Sequence, residues 1–267
     1  MNFVVAFPAE AQPIIEFYQL EKRNVSNALV FQKDQHALTL SGMGRDKAAS
    51  ATHNLAEYLG KRDLGWINLG IAGHGSLELG DAFLASKITD DANKEAYYPP
   101  QVYGHSLSIS TLNTSTHPVT QYEQGEGYDM EAHAFYQAAN TWSTRELIQV
   151  IKIVSDNPAS PVEQVQPKKA SRMIAAQMGK IDEIVRQMDA TAKDLLPDPH
   201  LENFRKDILS LHSFSVTRTH QLKDLLRHAK TLGIEMQQIK DLVKNAANAK
   251  DSIAQLKALL VPHQKLK

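Results

Sequence analysis

The chain has no cysteine in 267 residues. Disulfides and thiolate metal sites are therefore excluded. No apolar run comes near the roughly 20 residues that cross a bilayer, so no membrane span is expected. The opening stretch MNFVVAFPAEAQP lacks a basic leader and reaches Pro8 and Glu10 early, which argues against a secretory signal. The expectation is a cytoplasmic protein with no membrane partner. There is no repeat of fixed period and no low-complexity tract. Net charge is only −1, so the whole chain attracts phosphate backbones weakly, and nucleic acid is not an expected partner. No His-x-x-x-His pair joins a carboxylate in a metal-binding pattern. Neither a metal nor another cofactor is expected.

What is present is the ordinary balance of a globular protein, with 42% hydrophobic and 22% charged residues. The length suits one large domain or a domain with an appendage. Phe3–Phe7 is a short apolar run stopped by Pro8, which predicts a buried strand. Ala28–Gln32 and His36–Ser41 predict two strands around the charged turn Lys33-Asp34-Gln35. Ala48, Leu55, Ala56 and Leu59 favour a helix that Gly60 can end. Gly65–Leu69 reads as a strand running into Gly70-Ile71-Ala72-Gly73. Ala82–Ile88, Leu107–Thr111 and Leu147–Val154 read as further strands. Met130, Ala134, Ala138 and Trp142 recur at helical spacing, and Ala170–Met188 reads as a closing helix. Strands alternating with helices predict an α/β domain with a central mixed β-sheet flanked by helices over 1–192.

Beyond Leu195-Leu196-Pro197-Asp198-Pro199 the strand signals vanish. Leu222, Leu225, Leu226, Ala229 and Leu232 mark one amphipathic helix closed by Gly233. The apolar positions from Ile239 to Leu260 mark another, and a shorter helix is expected near Leu201–Leu211. Residues 193–267 thus read as an α-helical C-terminal extension. It carries 13 Lys/Arg against 8 Asp/Glu, a balance that solvated helix surfaces commonly show.

In open α/β sheets ligands bind beyond the carboxyl ends of the strands. Pro8 to Glu10, Gly42 to Arg45, Gly70 to Gly73 and Ser155 to Asn157 fall at such ends. Asp129 can cap a helix beginning at Met130, and Glu131 lies in its first turn, where the dipole favours a negative charge. Asp156 directly follows Gln149–Val154, so the strand delivers it to the ligand edge. Gly42-Met43-Gly44-Arg45 can present backbone N–H groups to an anion. It is neither a dinucleotide fingerprint nor a P-loop. His133 reads as a packed or solvated helix side chain, His74 has no assigned role, and Trp142 is expected in the core.

Asp129-Met130-Glu131-Ala132, followed by a strand ending Val154-Ser155-Asp156, resembles the nucleoside phosphorylase superfamily. The nearest likeness is to its hydrolytic branch, the 5′-methylthioadenosine/S-adenosylhomocysteine nucleosidases. Asn68-Leu69-Gly70-Ile71-Ala72-Gly73, Leu79-Gly80-Asp81, Ser41-Gly42-Met43-Gly44 and the opening strand running to Glu10 occur in the family's order, over roughly residues 1–190. Two residues depart from it: Lys152 stands where arginine is frequent, and Ile71 where the nucleosidases carry serine. The span from Asp90 to Asp129 is also shorter.

The resemblance implies hydrolysis of the N-glycosidic bond of a purine nucleoside into base and sugar, without a cofactor. It implies a general acid at Asp156, and a base at Glu10 that takes a proton from the attacking water. An ordinary aspartic acid is protonated in only about one part in 10³ at pH 7. Such an acid therefore needs burial, a neighbouring charge or the substrate to keep its proton. Glu131 inherits the ribose hydroxyls and Met130 packs on the ribose. Ser155 and Asn157 orient the acid or the base, and Ala72 and Gly73 join the substrate site. Gly44 and Arg45 form a candidate phosphate or water site. The implied partners are a small-molecule nucleoside, phosphate if the enzyme is a phosphorylase, and further copies of the chain in a homo-oligomer. Two alternatives stay open: a phosphate-dependent phosphorylase, and a non-catalytic nucleoside-binding protein on the same fold.

Overall fold

The computed structural model describes residues 1–25, 28–60, 63–161, 166–195 and 199–260. The chain forms two compact units, Met1–Leu195 and Leu196–Lys267. The first opens with β1 (Asn2–Val5), α1 (Pro8–Tyr18), β2 (Glu21–Val25), β3 (Ala28–Lys33), β4 (His36–Leu40), α2 (Arg45–Leu59) and β5 (Trp66–His74). It continues through β6 (Ala82–Asp90), β7 (Ala96–Tyr97), β8 (Ser108–Thr114), β9 (Glu126–Asp129) and α3 (Ala132–Ala139). A 3₁₀ turn (Arg145–Leu147) leads to β10 (Ile148–Asp156) and then α4 (Pro167–Leu195).

β10 and β5 lie at the centre. Every residue of β10 is buried, as expected for a strand covered on both faces. Its side chains alternate between two cores. Ile151 and Ile153 pack with Phe3, Val5, Ile67 and Leu69 against Ile14 of α1 and Ile174, Met178 and Ile181 of α4. Ile148, Val150 and Val154 pack with Val4 and Trp66 against Leu55 of α2 and Phe135 and Tyr136 of α3. This period-two alternation produces three layers, helix–sheet–helix.

The strands run in the order β10-β6-β8-β9-β5-β1-β4-β3-β2, and β10 also pairs with β5. The β5–β10 pairing closes five strands into a ring, from which β1, β4, β3 and β2 extend. β1, β4, β5 and β10 are mutually parallel where they pair. Their carboxyl ends therefore emerge on one edge.

Several local expectations change. The first strand stops at Val5, because Glu10 at the third position of α1 accepts the N–H of Phe7 and Pro8 starts the helix. Gly70–Gly73 continues β5 instead of turning, paired to β10 from Gly70↔Lys152 to Gly73↔Asp156. α3 begins at Ala132, and its core face is Ala132, Phe135, Tyr136 and Ala139. Asp129 still caps it, since Oδ2 accepts the N–H of Ala132 at 2.9 Å. Trp142 is half-buried and packs at the edge of that core, with Nε1 donating to His53.

The second unit holds α5 (Pro199–Leu209), α6 (Val216–Thr231), α7 (Met236–Asn245) and α8 (Ala249–Leu260). Ile208, Leu222, Leu226, Ile239, Val243, Ile253 and Leu256 make its core. The expected single helix from Ile239 to Leu260 is two helices. Asn248 Oδ1 accepts the N–H groups of Lys250 and Asp251 and starts α8 afresh.

Candidate active site

The shared edge carries a cavity of about 160 Å³. Ala6, Phe7 and Glu10 reach it from β1 and α1, Ile71, Ala72 and Gly73 from β5, and Ser155 and Asp156 from β10. Met130 and Glu131, just before α3, complete its inner wall. Glu10, Glu131 and Asp156 are distant in sequence, and folding sets all three on this one cavity.

Glu10 is buried, and three backbone N–H groups hold it. Oε2 accepts from Ala6 and Phe7 at 2.9 Å each, and Oε1 accepts from Ile71 at 2.9 Å. Burial pushes its pKa up, and the N–H donors with the Lys152 charge pull it back. The tether needs Gly70, because a Cβ there would lie 2.8 Å from Glu10 Oε1.

Glu131 is buried at the N-terminal boundary of α3, and its Oε1 accepts the N–H of Gly44 at 2.8 Å. Burial and the neighbouring Asp129 charge raise its pKa to about 7, against the pull of Lys152 and the Gly44 N–H. Asp129 pairs with the buried ammonium of Lys152 at 2.8 Å and accepts from Thr114 Oγ1 at 2.8 Å. Burial disfavours the charge on Lys152, but Asp129, Glu131 and Glu10 outweigh it and hold its pKa above the ordinary value. One cation thus faces three carboxyl groups.

Asp156 ends β10 with both oxygens in contact with hydroxyls. Tyr122 Oη donates to Oδ2 and Ser155 Oγ contacts Oδ1. Ser155 has one hydrogen and a second oxygen neighbour, the carbonyl of Ala72 at 3.3 Å.

Three expected site residues lie elsewhere. Asn157 builds a turn: Oδ1 accepts the N–H groups of Ala159 and Ser160, and Nδ2 donates to Leu77 O at 3.1 Å. Gly44 and Arg45 line a neighbouring cup with Met43, Asp46, Lys47, Ser115 and Thr116. The Gly44 N–H is already given to Glu131, and Arg45 is bound to Asp90 at 2.7 Å and the Thr114 carbonyl at 2.5 Å. His74 is a buried strut. Its Nδ1 accepts from Ser76 and Leu77, so Nε2 carries the proton and donates to Ser110 Oγ at 2.9 Å. His133 is buried between Asp90 and Glu95. Among the described residues no group of three or more His, Asp or Glu side chains could hold a metal ion.

Sequence reasoning assigned none of the outer-wall residues individually. His117, Pro118, Val119 and Tyr122 from the β8–β9 loop, with Tyr128, line the cavity. The one available signal was an aromatic residue in a loop just before the Asp129-Met130-Glu131 element.

No family model and no curated protein matches the sequence. Solved structures share its architecture. The 5′-methylthioadenosine/S-adenosylhomocysteine nucleosidase of Neisseria meningitidis, in complex with methylthio-immucillin-A, aligns with a TM-score of 0.57 at 17% identity. That match covers 70% of this chain and 98% of that one. The 5′-methylthioadenosine nucleosidase of Arabidopsis thaliana aligns with a TM-score of 0.59 at 17% identity, covering 70% and 95%. Futalosine hydrolase of Helicobacter pylori aligns with a TM-score of 0.57 at 11% identity, covering 70% and 97%. This chain shares the fold of these solved structures, the fold that the ordered motifs implied. No described helix is long and apolar enough to cross a membrane.

Proposed function

We propose that the chain is a nucleosidase that hydrolyses the N-glycosidic bond of a purine nucleoside. The observation that carries this reading is the convergence of Glu10, Glu131 and Asp156 on one cavity at the carboxyl edge of the parallel strands. Structural neighbours that are nucleosidases support it further.

In this reading the C1′–N9 bond breaks and its electron pair goes to the base. Asp156 gives its proton to N7, so the base leaves neutral. A water oxygen bonds to C1′ and loses a proton to Glu10. A carboxylate offers about four acceptor positions, and three N–H groups leave Glu10 one for water. Glu131 holds the ribose hydroxyls, and Met130 packs on the sugar. The surplus of carboxylates over Lys152 favours the cationic sugar of the transition state. Each acid or base of this kind contributes about 10²–10⁴-fold in rate.

The prior engagement of the Gly44 N–H and of Arg45 favours water over phosphate as nucleophile. The test is a panel of nucleosides incubated with and without phosphate and assayed for free base and sugar. Phosphate-independent release of base with free sugar supports the reading. Accumulation of a sugar 1-phosphate, only with phosphate present, refutes it.

A further inference from the structure

Tyr122 sits where the proposed leaving base has to go. Its ring lies directly over Gly73: a Cβ on Gly73 would come within 2.5 Å of Tyr122 Cε1 and 3.1 Å of Cζ. The same Cβ would be 2.7 Å from Asp156 Oδ2. Tyr122 Oη donates to that oxygen. An aromatic ring on Gly73, with a polar atom bonded to Asp156, duplicates the contacts that a purine with N7 at Asp156 would make. The space left beside it, about 160 Å³, falls below the roughly 300–1,000 Å³ typical of small-molecule sites.

The loop that carries Tyr122 is fixed at both ends. Ser115 N donates to Asp129 O at 2.8 Å. Gly75 N donates to Glu126 O at 2.9 Å, and Gly125 N donates to Ser76 Oγ at 2.8 Å. Gly75 allows this seat, because a Cβ there would stand 1.9 Å from the Glu123 carbonyl oxygen. Between the anchors, residues 116–121 are exposed apart from half-buried Val119. A swing of this span moves Tyr122 without unseating the strands.

We propose that Tyr122 is the gate of the base subsite: its phenol holds the place beside Gly73 and Asp156, and the base enters by displacing it. The proposal rests on reading the cavity as a purine nucleoside site. The base must break the bond from Tyr122 to Asp156, so the closed conformer reduces apparent affinity in proportion to its population. A hydrogen bond to a charged or ionisable partner can supply such a bias.

The experiment uses the full chain and the free bases adenine, hypoxanthine and guanine, titrated by calorimetry into wild type, Tyr122→Phe and Tyr122→Ala. Loss of the hydroxyl in Tyr122→Phe is expected to tighten binding of the preferred base about tenfold. Because the chain has no cysteine, Gln121→Cys gives a single attachment point for an environment-sensitive fluorophore. That label, on a chain that keeps Tyr122, is expected to shift its emission when the base binds. Equal affinity in wild type and Tyr122→Phe, with a silent label, overturns the gate and leaves the purine site standing. Weaker binding in Tyr122→Ala with no change in Tyr122→Phe makes the ring a stacking partner of the base, which also overturns the gate. No binding of any of the three bases to any variant removes the purine reading itself and the gate with it.

Discussion

Lys152 Nζ lies 2.8 Å from Asp129 Oδ2, with both side chains buried beneath the cavity. A buried ion pair costs desolvation to make, but breaking it by removing one partner leaves an uncompensated charge. Lys152→Met is therefore expected to destabilise the first unit by about 3–5 kcal/mol. In Lys152→Met/Asp129→Asn the loss should be smaller than the sum of the two single changes. Denaturant unfolding of the four proteins measures both effects. Additive losses would show that the pair does not act as a unit.

Glu131 sets a pH dependence with a definite sign. Its pKa rises from an ordinary 4.5 to about 7 on folding, so the folded state holds the proton more tightly than the unfolded chain. The resulting stability is fully present below about pH 4.5 and is lost as pH rises to about 7. Glu131→Gln cannot titrate, so the difference in stability between mutant and wild type should change across that window and level off above it. Unfolding curves at half-unit pH steps measure this. A difference that stays constant from pH 4 to 8 contradicts the assignment.

Two glycines make opposite predictions. Gly75→Ala pushes a methyl into the Glu123 carbonyl at 1.9 Å, a backbone clash that no rotamer relieves. It should destabilise the first unit and speed amide exchange over residues 115–125. Gly179 lies within α4 with no atom near its added Cβ. Gly179→Ala should stabilise by about 0.5–1 kcal/mol, read by the same unfolding assay.

Arg45 is engaged by Asp90 and the Thr114 carbonyl. Arg45→Met should cost about 1.5–3 kcal/mol, the range of a hydrogen bond to a charged group, and any base release should stay indifferent to phosphate. A mutant that is stable but loses a phosphate requirement would return Arg45 to the role of anion ligand.

The strands were legible where apolar runs met glycine or proline, and the carboxylates at their ends followed. Asp156 and Glu131 could be read because a strand or a helix start fixes where each side chain emerges. Helix α1 was hidden by Pro8 and Pro13, residues that usually mark breaks. Strand β2 was hidden by its charged residues Glu21, Lys22 and Arg23, which suit an exposed strand. Asn157 looked like a ligand because it follows Asp156, yet its amide closes the turn beyond the strand. The commitments of Gly44 and Arg45 are long-range contacts, to Glu131, Asp90 and Thr114, which local pattern does not encode. Tyr122 was illegible for the same reason: its loop has no period, and only the tertiary seat at Gly75 brings it to Asp156.

The most direct test compares wild type with Asp156→Asn for free base released from a purine nucleoside panel in phosphate-free buffer, with nucleoside binding measured in parallel. The account predicts release by wild type, and a fall in kcat of about 10²–10⁴-fold in the mutant, with the nucleoside still bound. Binding without release of base by either protein would contradict it.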